Sequence, residues 1–188
     1  MKDFSDSEII ESVRRGNNSD FSLLIDKYKT KAFSMLKRML KNDMDAEEVL
    51  QDSFLKAYSG LSNFRKEAKF STWFYRIVYN SALTRLSSKR KRMENEMSSI
   101  DDQPDLISSY ETDNSEKTDL TKFIYGAIEQ LPPRYASVIN LFYLEEMSCE
   151  EISEVMNSSV ANIKVILHRS RNALKDLLIA KDYVKEIL

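Results

Sequence analysis

Apolar residues return at three- and four-residue intervals through most of this chain, the spacing of helices that bury one face. Ser5-Asp6-Ser7-Glu8 has the form of a capping box, and Ile9, Ile10 and Val13 follow until Gly16 breaks the turn. Ser19 is placed to cap a second helix carrying Phe21, Leu24, Ile25, Tyr28, Ala32, Met35, Leu36, Met39 and Leu40. A third helix begins near Asp45-Ala46-Glu47-Glu48, where carboxylates meet the positive end of its dipole, and runs to Gly60 as a C-terminal cap. After a loop over 61–69, a long helix starts at Phe70, with Phe70, Trp73, Phe74 and Ile77 on its core face and Tyr75 and Tyr79 pointing elsewhere.

Periodicity lapses between Met93 and Ser115 and returns with Leu120, Phe123, Ile124, Ala127, Ile128 and Leu131, a helix ended by Pro132-Pro133. Pro133 suits the first turn of the next helix, and Ser148-Cys149-Glu150-Glu151 is a second capping box. Asn157-Ser158-Ser159 reads as a turn in which Asn157 tolerates the left-handed conformation, with Ser159 capping a last long helix. Only three glycines and three prolines occur, too few turn residues for a β-rich chain of 188 residues. The prediction is an all-α protein of two small helical domains joined by an acidic, flexible linker.

Composition adds exclusions. No run of eighteen apolar residues exists and the N-terminus lacks the apolar stretch of a signal peptide, so no membrane insertion and a cytoplasmic location are expected. One cysteine, Cys149, excludes an internal disulfide and a thiolate-rich zinc cage; no metal and no cofactor is expected.

The net charge of −2 argues at first against a nucleic-acid partner, but charge is sorted along the chain. Between Arg65 and Arg92 the basic residues face Glu67 alone, and between Val155 and Lys175 there is no acid. The acids concentrate from Glu94 to Asp119, between the two basic stretches.

Residues 148–174 have the dimensions of a helix-turn-helix: a short helix, a three-residue turn and a longer basic helix. At about 100° per residue, Val160, Ile163, Leu167, Ser170 and Leu174 form an inward stripe, and Ala161, Lys164, Val165, His168 and Asn172 face outward. Such a face suits the major groove, with cations beside it for phosphates.

Leu131-Pro132-Pro133-Arg134-Tyr135, Glu150-Glu151-Ile152 and the run from Val160 to Arg171 resemble region 4 of extracytoplasmic-function (ECF) sigma factors of the sigma-70 family. The run from Asp45 to Phe54 resembles region 2.2, and that from Phe70 to Asn80 resembles regions 2.3 and 2.4. The resemblance implies a region 2 domain over 1–95, an acidic linker over 96–116 and a region 4 domain over 117–188. It implies a non-enzymatic protein that binds core RNA polymerase through the β′ clamp helices and the β flap, reads promoter DNA, and is sequestered by an anti-sigma factor.

Residue by residue, the resemblance implies polymerase contacts at Asp45, Glu48, Gln51, Asp52 and Leu55. It places Asn63, Phe64, Arg65, Tyr75, Arg76, Tyr79, Asn80 and Arg85 at the −10 element, where an unpaired base can stack on an aromatic ring and be read by an amide. Packing on the core is the competing role for Phe64. At the −35 element it places Ser159, Ala161, Asn162, Lys164, Val165, His168, Arg169 and Arg171.

Val165 and Ile166 depart from the small or hydroxyl residue followed by Arg that is common in the family. One rival remains open, a helix-turn-helix regulator acting without core polymerase. A nucleic-acid enzyme finds no support, because no Ser, Tyr or carboxylate constellation stands out.

Overall fold

The computed structural model describes residues 4–65, 67–97 and 119–180, with backbone alone at 95–97, 119, 120 and 122. Eight α-helices occur among these residues: α1 (Asp6–Arg14), α2 (Phe21–Leu40), α3 (Asp43–Gly60), α4 (Phe70–Met97), α5 (Asp119–Gln130), α6 (Pro133–Ile139), α7 (Cys149–Val155) and α8 (Val160–Ala180). Of the linker expected over 96–116, residues 96 and 97 instead continue α4, while 98–116 and residues 181–188 lie outside the described residues.

Local chemistry explains most boundaries. Both capping boxes form: Ser5 and Ser148 each accept from the backbone three residues on, and Glu8 and Glu151 reach back. Asn42 caps α3 by accepting from the Asp45 amide at 2.9 Å. Asn157 takes the left-handed conformation at φ 46° between α7 and α8, and Ser159 accepts from the Asn162 amide at 3.2 Å.

Two boundaries differ from expectation. Ser19 falls inside a 3₁₀ turn, Asn18–Asp20, and α2 starts at Phe21 without a side-chain cap. Gly60 is helical at φ −84° and not a left-handed cap, because the chain continues into a 3₁₀ turn at Leu61–Asn63. Its missing side chain serves Trp73 instead: a Cβ there would sit 3.1 Å from the indole.

α2, α3 and α4 pack on one another around Leu24, Met35, Leu36, Phe54 and Phe74, and α1 closes one end. Phe74 stacks on Phe54 at 4.8 Å, and Tyr28, Phe70 and Tyr75 gather around it. In the second half, α6, α7 and α8 surround Leu141, Ile152, Ile163 and Leu167, and α5 packs on α6 and α8. A π-helical turn at Asn140–Leu144 extends α6, ends at Glu145 and is followed by Glu146 at φ 53°.

The halves also meet each other, α2 against α6 and α4 against α7. Buried apolar residues of the two halves belong to one continuous cluster, and polar pairs also cross the seam between them. Lys31 lies 3.6 Å from the Glu145 carboxylate, Lys69 lies 2.8 Å from Glu151, and the Arg38 guanidinium lies 4.8 Å over the Tyr125 ring. Arg38 is buried there with two of its nitrogens unpaired among the described residues, a costly arrangement. Burial pushes the Glu145 carboxyl above the ordinary range although Tyr75, Lys31 and Arg38 favour its charge. These ionic pairs hold the seam less firmly than apolar contacts of the same size would.

Candidate nucleic-acid interface

The turn after α3 and the first half of α4 build one site. Arg14 of α1 donates from both Nε and Nη2 to the Leu61 carbonyl, at 3.1 and 2.8 Å, and also reaches the Phe64 carbonyl. This guanidinium pins the segment from Leu61 to Phe64. Sequence reasoning assigned Arg14 no role, since a last-turn arginine ordinarily answers the helix dipole.

Asn63 and Arg65 are exposed beyond that anchor. Phe64 is not: it is buried, with its ring 5.1 Å from Trp73 and 5.9 Å from Phe70. The competing role as a core anchor prevails, because Phe64 packs against the buried Phe70 and the half-buried Trp73 at the start of α4.

Along α4 the expected sides are partly exchanged. Tyr75 and Tyr79 are buried, Tyr75 beside Glu145 and Tyr79 towards Arg134, because α4 packs on α2 and also against the second half. Burial raises the pKa of both hydroxyls. Trp73 and Ile77, expected in the core, are only half-buried. With Lys56, Asn80, Ser81 and Thr84 they line an open groove of about 400 Å³ between α3 and α4. Lys56 donates to Ser81 at 3.0 Å across it. Arg76 and Asn80 are exposed, as expected. An aromatic edge, an amide, hydroxyls and a lysine in one groove suit a stacked and hydrogen-bonded base.

Arg85 differs from its expected place. It donates to Asp45 at 2.8 Å and pairs with Glu48, while Lys89 pairs with the same Asp45. Burial pushes Asp45 up, but hydrogen bonds from Lys89 and Arg85 outweigh it and leave the carboxyl below its ordinary value. Asp45 and Arg85 therefore clasp α3 to α4. Glu48, Gln51, Asp52 and Leu55 stay exposed on the outer side of α3, Leu55 at 65% and with Met44 at 82% nearby in sequence.

In the second half, α8 presents Ala161, Asn162, Lys164, Val165, His168 and Arg169 to solvent, over an inner face of Ile163, Ile166, Leu167 and Ser170. Ser159 is exposed at the helix start, and the Asn162 side chain donates from Nδ2 back to the Ser158 hydroxyl at 2.7 Å. His168 lies 3.3 Å from Asn172. Arg171 is exposed but committed: it donates to the Tyr143 hydroxyl at 2.7 Å and lies over the Phe142 ring. Among the described residues no helix is long and apolar enough to cross a membrane, and no group of three His, Cys, Asp or Glu residues is arranged to hold a metal.

Comparison with known proteins matches both halves. The family model described as Sigma-70 region 2 covers residues 24–92, and that described as Sigma-70, region 4 covers residues 124–174. The chain is 33% identical over 177 residues to the ECF RNA polymerase sigma factor SigW of Bacillus subtilis, spanning 90% of this chain and 94% of that protein. It is 30% identical over 179 residues to the ECF RNA polymerase sigma-E factor of Haemophilus influenzae, spanning 92% and 94%.

Two solved structures share the fold. The sigma factor RpoE of Bartonella quintana, in complex with the anti-sigma factor NepR, gives a TM-score of 0.70 at 18% identity over 85% of this chain and 96% of that one. CnrH in complex with the cytosolic domain of CnrY gives 0.64 at 20% identity over 93% and 97%.

Proposed function

The chain belongs to the ECF sigma factors of the sigma-70 family, and we propose on that premise that it binds core RNA polymerase and directs promoter-specific initiation. The observation that carries this reading is the presence of both sigma regions, in order, on the two helical units that hold the exposed polar faces. The protein acts by binding and positioning; it is not an enzyme, and its place is the cytoplasm.

On this reading the outer side of α3, with Glu48, Gln51, Asp52 and Leu55, docks on the β′ clamp helices. The Asp45 clasp keeps α3 and α4 in register for it. Asn63, Arg65, Arg76 and Asn80 surround the −10 strand, with a flipped base entering the groove beside Trp73. Tyr75 and Tyr79 take no DNA contact while the halves are closed, and Phe64 acts by holding Trp73. The α7–α8 pair reads the −35 element and the second half meets the β flap. The two likenesses in which a sigma factor is held by a second protein support an anti-sigma partner here.

The two DNA elements impose a geometric demand. Elements about 25 base pairs apart span about 85 Å of duplex. A compact chain of 188 residues is only about 40 Å across. The two domains, 1–95 and 117–188, must therefore separate when polymerase spreads them over a promoter, and each contact then raises the effective concentration of the next.

Run-off transcription with core polymerase plus this protein on a promoter library tests the reading. Specific initiation that needs the added chain is expected. A footprint on promoter DNA without polymerase, and no initiation with it, would favour a self-sufficient helix-turn-helix regulator instead.

A further inference from the structure

The outermost line of α8 is apolar over its first two positions, where a solvated helix would be polar. Projected at about 100° per residue, the buried Ile163, Ile166, Leu167 and Ser170 define the inner direction. The direction opposite is occupied by Ala161 and Val165, one turn apart, with His168 and Asn172 further along. Lys164 flanks this line on one side and Arg169 on the other.

Val165 is 46% exposed, one of two large apolar residues on α8 among the strongly exposed ones. The other, Ile179, belongs to an apolar patch with Tyr143 and Leu178 at the far end of the helix. Packing inside the protein does not account for Val165, and neither does helix propensity, because a β-branched side chain loses rotamer freedom in a helix.

A docked DNA groove accounts for it. The N-terminal turns of the second helix in a helix-turn-helix meet base edges, and flanking cations meet phosphates. Of the groups a base pair shows in the major groove, the thymine C5-methyl is the one that an apolar side chain matches. The neighbouring polar side chains are less available than their types suggest. The Asn162 amide is turned back to Ser158, and Arg171 is held by Tyr143. Ile166, beside Val165 in sequence, is buried at 5% exposure and reaches no base.

We infer that Val165, supported by Ala161, reads the C5-methyl of a thymine in the −35 element, with Lys164 and Arg169 on the flanking phosphates. The inference rests on the −35 reading proposed above. It assigns specificity to van der Waals contact at a position where hydrogen bonding from a hydroxyl would select a different base.

Removing the methyl alone tests it. On a promoter from which core polymerase plus the unmodified protein initiates, each thymine of the −35 element is replaced in turn by deoxyuridine. One position is expected to lose about fourfold in initiation, the worth of one buried methyl-sized group. Val165→Ala should initiate equally from thymine and uracil at that position, while Val165→Ile should keep the preference. Because Val165 is exposed, both variants keep the fold, which thermal melting verifies.

Equal initiation from thymine and uracil at every position with the unmodified protein would overturn the inference. So would an unchanged uracil penalty in Val165→Ala. Failure of the underlying reading looks different: no specific initiation then occurs even on unmodified thymine DNA, and the inference falls with it.

Discussion

Glu145→Lys should open the chain along the seam between its halves. The Glu145 side chain is only 6% exposed and lies 3.6 Å from the Lys31 ammonium. At an effective dielectric of about 20, unit charges at that distance interact by about 4–5 kcal/mol. Lys31 is 58% exposed, so solvent screening reduces the attraction, leaving about 1–2 kcal/mol. Reversing the charge turns this attraction into repulsion of similar size, and the buried Arg38 acts in the same direction. A total of about 3 kcal/mol against the closed form shifts the closed-to-open ratio about 150-fold.

Small-angle X-ray scattering reads the outcome directly. A closed chain of this length has a radius of gyration of about 16 Å. Two separated units with centres about 40 Å apart have one of about 23 Å, each unit alone being about 12 Å. The unmodified protein should fall near the first value and Glu145→Lys near the second, with helical circular dichroism unchanged in both. An extended unmodified protein, or a variant as compact as its parent, would refute the reasoning.

Three further outcomes follow from the same contacts. Glu145 faces Lys31, Arg38 and Tyr28 from α2 and Tyr75 from α4, and its carboxyl lies above the ordinary value when closed. Closure therefore takes up protons, and the closed form gains as pH falls from neutrality towards the ordinary carboxylate value. Scattering across that range should show the gain, and Glu145→Gln should abolish it.

Asp45→Asn should lower stability by about 1–2 kcal/mol, a fall of roughly 2–8 °C in Tm. Its depressed pKa places that stability above the ordinary carboxylate range, and it is lost as pH falls through the lowered value. Melting of both proteins between neutral and acid pH measures this. Phe74→Ala and Arg76→Ala should separate folding from function. The first removes a fully buried ring and costs about 3–5 kcal/mol. The second removes an exposed cation, leaving stability within about 0.5 kcal/mol while weakening initiation. Denaturant melts and run-off transcription read the two effects.

Much of this protein is local, and local features are written in the chain. The Ser5 and Ser148 capping boxes, the left-handed Asn157, Pro133 at a helix start and the inner stripe of α8 each depend on residues within a turn or two of one another. Their chemistry therefore identifies them without knowledge of the fold. The outward set on α8, from Ala161 to Arg169, was legible for the same reason, because a single helix has a fixed period.

What periodicity alone does not supply is which neighbour a second face meets. α4 is apolar on more than one side, so the sequence predicted Tyr75 and Tyr79 outside and Trp73 inside. Tertiary packing placed the tyrosines against α2 and the second half, and left the indole at a groove above Gly60. Arg85 and Arg171 read as free cations until the fold brought Asp45, Glu48 and Tyr143 to them from distant positions. The seam at Glu145 is the clearest case. Its partners Lys31 and Tyr75 come from different helices of the first half, and only the closed chain brings them to one buried carboxylate.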